Sequence, residues 1–181
     1  MITIFSTCKP FIGEFKIIQT NAIKSWRECD KNIEVILFGN EEGVEEISNS
    51  LNLKHIKDIK RNEGNTPFLN DMFKKAKEVA KYNILCYVNA DIILLPSFLN
   101  VVSFVSNKFE NFLITGRRWH LKIDKLIEYN NPLWDKELYE YVIKNAELTS
   151  PLGIDYFIFS RSLYKILPPL LVGRTCGIPG Y

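Results

Sequence analysis

In Tyr87-Val88-Asn89-Ala90-Asp91-Ile92, two short oxygen-bearing side chains sit inside an otherwise apolar run from Ile84 to Leu95. A lone carboxylate in so apolar a stretch is costly to bury without a partner. Asp91 is therefore expected to hold something: a backbone amide, a cation, or a metal-bound phosphate. A hard divalent cation such as Mg2+ or Mn2+ takes carboxylate and phosphate oxygens, and one or two protein carboxylates are often enough. The plainer reading is that Asn89 and Asp91 cap a strand-to-turn transition. The three-residue pattern alone leaves both open.

Three other places carry comparable chemistry. Arg117, Arg118 and His120 end an apolar strand; an arginine fork suits phosphate and a histidine can ligate or donate a proton, although a solvated strand end explains them as well. Asp155, in Gly153-Ile154-Asp155-Tyr156, precedes an aromatic strand. It reads either as a general base near an acceptor hydroxyl or as a turn residue bonding nearby amides. Gly64-Asn65-Thr66-Pro67 reads as a helix start with Thr66 as cap and Pro67 in the first turn. Free amides there could bind an anion, but the stretch has neither the spacing nor the Lys-Ser/Thr ending of a Walker loop.

The elements that must position these groups follow from periodicity. Ile2–Ser6, Ile33–Phe38, Lys54–Ile56 and Ile84–Val88 read as strands, and Glu14–Cys29, Glu41–Leu51 and Phe68–Lys81 as the helices between them. Alternation of this kind predicts a parallel sheet covered on both faces. Ligands of such sheets bind beyond the carboxyl ends of the strands, where Thr7, Gly39-Asn40, the Gly64–Pro67 loop, Asn89 and Asp91 would converge. With strand-like spacing, Asn89 and Asp91 would point one way and Ala90 the other. In the second half, Pro96–Ser106 and Asp135–Asn145 read as helices and Phe112–His120 and Tyr156–Phe159 as strands. Ser162–Leu167 reads as a short helical turn before Pro168-Pro169. Trp119, Trp134, Phe157 and Phe159 read as core, and the stretch from Gly173 to Tyr181 has no periodicity.

Composition narrows the function classes. With 181 residues the chain suffices for one domain with a substantial core. It is 46% hydrophobic and 24% charged, the mixture of a soluble globular protein. A net charge of +2, from 23 basic and 21 acidic residues, is too balanced for electrostatic capture of nucleic acid. Cys8, Cys29, Cys86 and Cys176 form no CxxC pair, which argues against zinc and for reduced thiols in a cytoplasmic setting. The amino terminus reads as a strand rather than a signal peptide, and no stretch approaches the ~18 apolar residues of a membrane span.

Taken together, these segments resemble the GT-A-type glycosyltransferases of the family-2-like group, which use nucleotide-diphosphate sugars. The resemblance is carried by Phe5-Ser6-Thr7-Cys8-Lys9-Pro10-Phe11, Asn21-Ala22-Ile23-Lys24-Ser25-Trp26, Ile36-Leu37-Phe38-Gly39-Asn40, Tyr87–Ile92, and Gly153–Phe159. Asn89-Ala90-Asp91 looks like that fold's DXD motif, with Asn89 in place of the first acid. The resemblance implies an α/β GT-A-like (Rossmann-like) three-layer α/β/α sandwich with a mostly parallel central sheet. It also implies a single domain over residues 1–181, with a donor-binding half (1–95) and an acceptor-side half (96–181).

It implies further that Ser6, Thr7, Gly39, Asn40, Thr66, Asn89, Ala90 and Asp91 bind the nucleotide-sugar. Asp91 would be the ligand of a Mn2+ or Mg2+ ion, and Asp155 the base or acceptor contact. The implied activity is transfer of a sugar from the donor to a hydroxyl of a glycan, lipid or small molecule. Family members usually continue past the Gly173-Arg174-Thr175 segment, so the chain is expected to be truncated or naturally minimal. Two alternatives stand beside transfer. One is a non-catalytic nucleotide-sugar binding module; the other is a nucleotidyltransferase, which the single lysine of Thr7-Cys8-Lys9-Pro10 disfavours because a Gly-rich basic loop is expected there.

Overall fold

Strands buried on both faces, with helical stripes between them, build a sheet with two apolar faces. The computed structural model describes residues 1–151 and 153–173. Strand β1 (Ile2–Thr7) leads into helix α1 (Glu14–Cys29), then β2 (Glu34–Phe38), α2 (Val44–Ser50), β3 (Lys54–Ile56), α3 (Leu69–Val79) and β4 (Ile84–Val88). After these come α4 (Phe98–Ser106), β5 (Leu113–Ile114), β6 (Trp119–His120), α5 (Trp134–Asn145), β7 (Glu147–Leu148) and β8 (Tyr156–Ser160).

The main sheet runs β3-β2-β1-β4-β8-β5. Its first four strands are parallel, while β8 is antiparallel to both β4 and β5. Ile2, Ile4, Val35, Leu37, Cys86 and Val88 face one side, with Ala22, Ile23 and Trp26 of α1, Val44 of α2 and Val102 of α4. Phe5, Ile36, Phe38, Leu85, Tyr87 and Phe159 face the other, against Met72, Phe73 and Ala76 of α3. Phe73 stacks on Phe159 at 5.3 Å and meets Phe5 edge-on at 4.9 Å. The expected three-layer, mostly parallel α/β arrangement is therefore present.

Helix α1 does more than cover the sheet. Its polar residues Gln19, Asn21 and Ser25 are buried, and buried polar groups need partners. Gln19 exchanges two hydrogen bonds with the backbone of Lys9. Ser25 Oγ accepts from Leu94 N–H, and Trp26 Nε1 donates to the Ile92 carbonyl at 2.9 Å. Asn21 holds the Lys125 carbonyl and the Ile127 amide. One helix thus pins the loop after β1, the segment after Asp91 and part of the second half.

Several local expectations are corrected. Phe112–His120 is two strands in different sheets, because the chain leaves β5 after Ile114 and pairs β6 with β7 instead. A Cβ on Gly116 would lie 1.8 Å from the Tyr156 hydroxyl, so a side chain there would have to displace the Tyr156 ring. Trp119 is exposed on that small two-stranded sheet rather than core, whereas Trp134 and Phe159 are buried.

Thr66-Pro67 does not start a helix. Residues 61–67 form a hairpin closed by an Arg61–Pro67 bridge, Phe68 stays extended, and α3 starts at Leu69 without a side-chain cap. The Leu69 amide is satisfied by the Leu170 carbonyl of the returning chain. Ser162–Leu167 is turn and irregular chain, not helix.

Candidate functional site

Strand β4 ends at Val88, and its alternation ends with it. Residues 89–92 form a turn closed by Ile92 N–H to the Asn89 carbonyl at 3.1 Å. Ala90 is buried in the core while Asp91 is exposed. The Asp91 carboxylate has no hydrogen-bond or ion-pair partner among the described residues.

Asn89 is held on three sides. Its backbone N–H donates to the Asp155 carbonyl at 2.9 Å. Its side-chain Oδ1 accepts from the Tyr87 hydroxyl at 3.0 Å, and its Nδ2 donates to Asp155 Oδ1 at 3.0 Å. Asp155 Oδ2 in turn accepts from Arg118 Nη1. These contacts arise because Val88 pairs with Tyr156 across antiparallel strands, which sets the residue after β4 against the residue before β8. Tyr87 is almost wholly buried. Burial, and then the charges of Asp91, Asp155 and Cys8, push its hydroxyl well above the ordinary phenol range, so it is a donor at all ordinary pH values.

The second half supplies Arg118 through a separate brace. Thr149 donates both its N–H and its hydroxyl to the Arg118 carbonyl, each at 2.9 Å. Neighbouring Arg117 is used structurally, its Nε donating to the Thr149 carbonyl at 2.5 Å. His120 lies exposed on the two-stranded β6–β7 sheet.

The remaining expected residues occupy the same sheet edge in different roles. Ser6 is fully buried, and its hydroxyl donates to the Val88 carbonyl at 2.6 Å, fastening the end of β1 to the end of β4. Thr7 is the last residue of β1; its Oγ1 is buried and has no hydrogen-bond partner among the described residues. Gly39 follows β2 with a left-handed φ of 105°, and a Cβ there would meet Glu41 Oε2 at 2.2 Å. Only glycine fits both conditions. Asn40 is exposed beside it. Thr66 lies on the 61–67 hairpin, with its N–H engaged by Asn62 Oδ1 at 2.8 Å.

Glu41 and Arg61 were not singled out from sequence. They form a mostly buried ion pair at 2.6 Å that joins the loop after β2 to the 61–67 hairpin. Their signal was positional: Glu41 follows Gly39-Asn40, and Arg61 opens the turn-rich stretch.

Metal binding can be tested on the donor set. Among the described residues no three His, Cys, Asp or Glu side chains come together as a metal cage. Asp155 is paired with Arg118 and Asn89, which leaves Asp91 as a single uncommitted carboxylate. That set fits a hard divalent cation whose other ligands are water and diphosphate oxygens, and not a closed protein-only site. A cavity of about 550 Å3 opens at the opposite edge of the sheet around Asn83, Phe109, Glu110 and Arg161. The converging acids, amide and arginine, not cavity size, mark the carboxyl edge.

No family model matches the chain, and no curated protein sequence does. Among solved structures, glucosyl-3-phosphoglycerate synthase from Mycobacterium tuberculosis in complex with uridine diphosphate matches with a TM-score of 0.50 at 14% identity, over 89% of this chain and 57% of that one. A second structure of the M. tuberculosis synthase gives the same values. S. aureus TarS 1-349 is less similar, with a TM-score of 0.47 at 11% identity, over 86% of this chain and 59% of that one. The likeness to the synthase is one of fold, the GT-A-like fold expected above, and this chain spans 57% of that synthase's length.

Proposed function

We propose that this protein binds a nucleotide-diphosphate sugar across the carboxyl ends of β1, β2 and β4 and transfers the sugar to an acceptor hydroxyl. The observation that carries this reading is the uncommitted Asp91 carboxylate, set one turn from the braced Asn89–Asp155 pair on a GT-A-like sheet. Ligands of such sheets bind at that edge.

Five of the expected residues then have a chemical role. Thr7, Gly39 and Asn40 line the nucleoside side, where the orphaned Thr7 hydroxyl can turn to meet a ligand oxygen. Asp91 holds a Mn2+ or Mg2+ ion. Such an ion stabilises the charge that develops on a leaving diphosphate. Asp155 stands on the acceptor side. A carboxylate has about four lone-pair positions, and Asn89 and Arg118 engage one on each oxygen. Asp155 can therefore still accept the proton of an acceptor hydroxyl.

The test is calorimetry and product analysis with Mn2+ and a panel of UDP-, GDP- and other nucleotide-sugars. The reading predicts metal-dependent donor binding, and release of nucleoside diphosphate once an acceptor is supplied. Donor binding without release or transfer, over a broad acceptor panel, would make the protein a binding module. Absence of all nucleotide binding would overturn both.

A further inference from the structure

Arg118 is fixed at both of its ends and free in between. Thr149 clamps its carbonyl, and Asp155 takes its Nη1. Its Nε and Nη2 have no partner among the described residues, and the side chain is 36% exposed. The chain of contacts behind it is partly buried and directional. Tyr87 can only donate to Asn89 Oδ1, which fixes the amide so that Nδ2 faces Asp155. Asp155 Oδ2 is thereby left for the guanidinium. An aspartate at position 89 would instead set a second carboxylate against Asp155, so the amide is what this contact requires.

The β4 end of the edge that receives the proposed donor carries two carboxylates, Asp91 and Asp155. A diphosphate brought there meets like charge unless cations offset it. One cation would sit at Asp91. Arg117 cannot supply the second, because its guanidinium is bound to the carbonyls of Thr149 and Leu148.

We infer that Tyr87, Asn89 and Asp155 are a positioning relay for Arg118, and that the free donors of Arg118 hold the phosphate oxygens of the nucleotide donor. The inference rests on the donor-binding reading above. A guanidinium already held by a carboxylate loses little freedom on binding, and its planar fork suits phosphate. Asn89 then acts through Asp155 and not as a metal ligand.

The test is calorimetric titration of UDP, GDP and inorganic pyrophosphate, with the unphosphorylated nucleosides as controls, into wild type and variants in Mg2+ buffer. Arg118→Ala should weaken nucleoside diphosphate and pyrophosphate binding by about 10-fold and leave nucleoside binding unchanged, and Arg118→Lys should restore part of the loss. Tyr87 is too buried to touch a ligand, so any effect of Tyr87→Phe must pass through its neighbours. That variant should cost about 3-fold in diphosphate affinity in the wild-type background and nothing in the Arg118→Ala background. Asn89→Ala should behave the same way, which covers the case in which Tyr87→Phe does not fold.

Diphosphate affinity unchanged in Arg118→Ala, or a Tyr87→Phe loss of equal size with and without Arg118, would overturn the inference while leaving the donor-binding reading intact. A folded wild-type protein that binds none of the diphosphates would overturn that reading itself, and with it the ligand assigned to Arg118.

Discussion

Asn89 and Asp155 meet twice, backbone N–H to carbonyl at 2.9 Å and side-chain amide to carboxylate at 3.0 Å. They are 66 residues apart in the chain, yet this pair joins the end of one central strand to the start of its antiparallel neighbour. It also separates the two acids of the edge by role: Asp155 is paired, and Asp91 is left uncommitted.

Asp91→Asn should fold normally, because the carboxylate is exposed and has no hydrogen-bond or ion-pair partner among the described residues. Donor affinity with Mn2+ present should fall by about 10-fold or more, since a charged metal ligand is replaced by a neutral one. Affinity measured in excess chelator should not change. Isothermal titration in the two buffers checks both statements, and wild-type affinity in Mn2+ would remove Asp91 from the metal-binding role.

Asp155→Ala removes the acceptor of two donors, Asn89 Nδ2 and Arg118 Nη1. The expected loss of stability is about 1–2 kcal/mol, read by urea denaturation. Transfer should fall by about 100-fold or more if Asp155 acts as base, with donor affinity changed far less than turnover.

Ser6→Ala separates structure from ligand contact. The hydroxyl is buried and donates to the Val88 carbonyl, so its removal should cost about 1–2 kcal/mol. Donor affinity of the folded variant should stay within about 2-fold, because the group does not reach the surface.

Gly39→Ala should destabilise by about 1–3 kcal/mol. It combines a strained positive φ with a Cβ placed against Glu41 Oε2. The Glu41–Arg61 pair would be displaced, so the variant should also bind donor more weakly.

The thiols give a pH-dependent check. Burial first, and then the charges of Asp135, Glu28 and Asp30, raise Cys29 from 9.0 to about 12. Burial likewise raises Cys8, with a contribution from Glu41, and it raises Cys86. All three are free cysteines. Groups with a raised folded-state pKa add stability that is complete below pH 9 and is lost as pH climbs toward 12. Denaturation midpoints should therefore fall steadily above pH 9. In a Cys176→Ser background the folded protein should resist alkylation at pH 8 and react fully once unfolded.

The first half of the fold could be read directly from the sequence. Apolar runs such as Ile84–Val88 and stripes such as Ala22, Ile23 and Trp26 are local, because strand and helix periods act over a few residues. The expected strand and helix at Lys54–Ile56 and Glu14–Cys29 match the observed bounds. Thr66-Pro67 misled because a cap signature is also local: the hairpin that displaces it depends on Arg61 and on Leu170 and Leu171 returning from far along the chain. Phe112–His120 misled because its break depends on partners far along the chain, β8 for Leu113–Ile114 and β7 for Trp119–His120. Expectations about residues 174–181, including the short carboxyl terminus, lie outside the described residues.

The sequence by itself determined the α/β alternation, and it singled out the carboxyl edge as the candidate place for a site with Asn89, Asp91 and Asp155 as its candidate polar groups. Only the tertiary structure decided that β8 runs antiparallel to β4. That direction brings Asp155 onto Asn89; a parallel strand would carry it to the far edge. The periodicity of an isolated strand is the same in either direction, so no local pattern could have chosen between them. The same pairing turns Arg118 from a solvated strand end into a braced guanidinium, and leaves Asp91 as the one acid of the pair without a protein partner among the described residues.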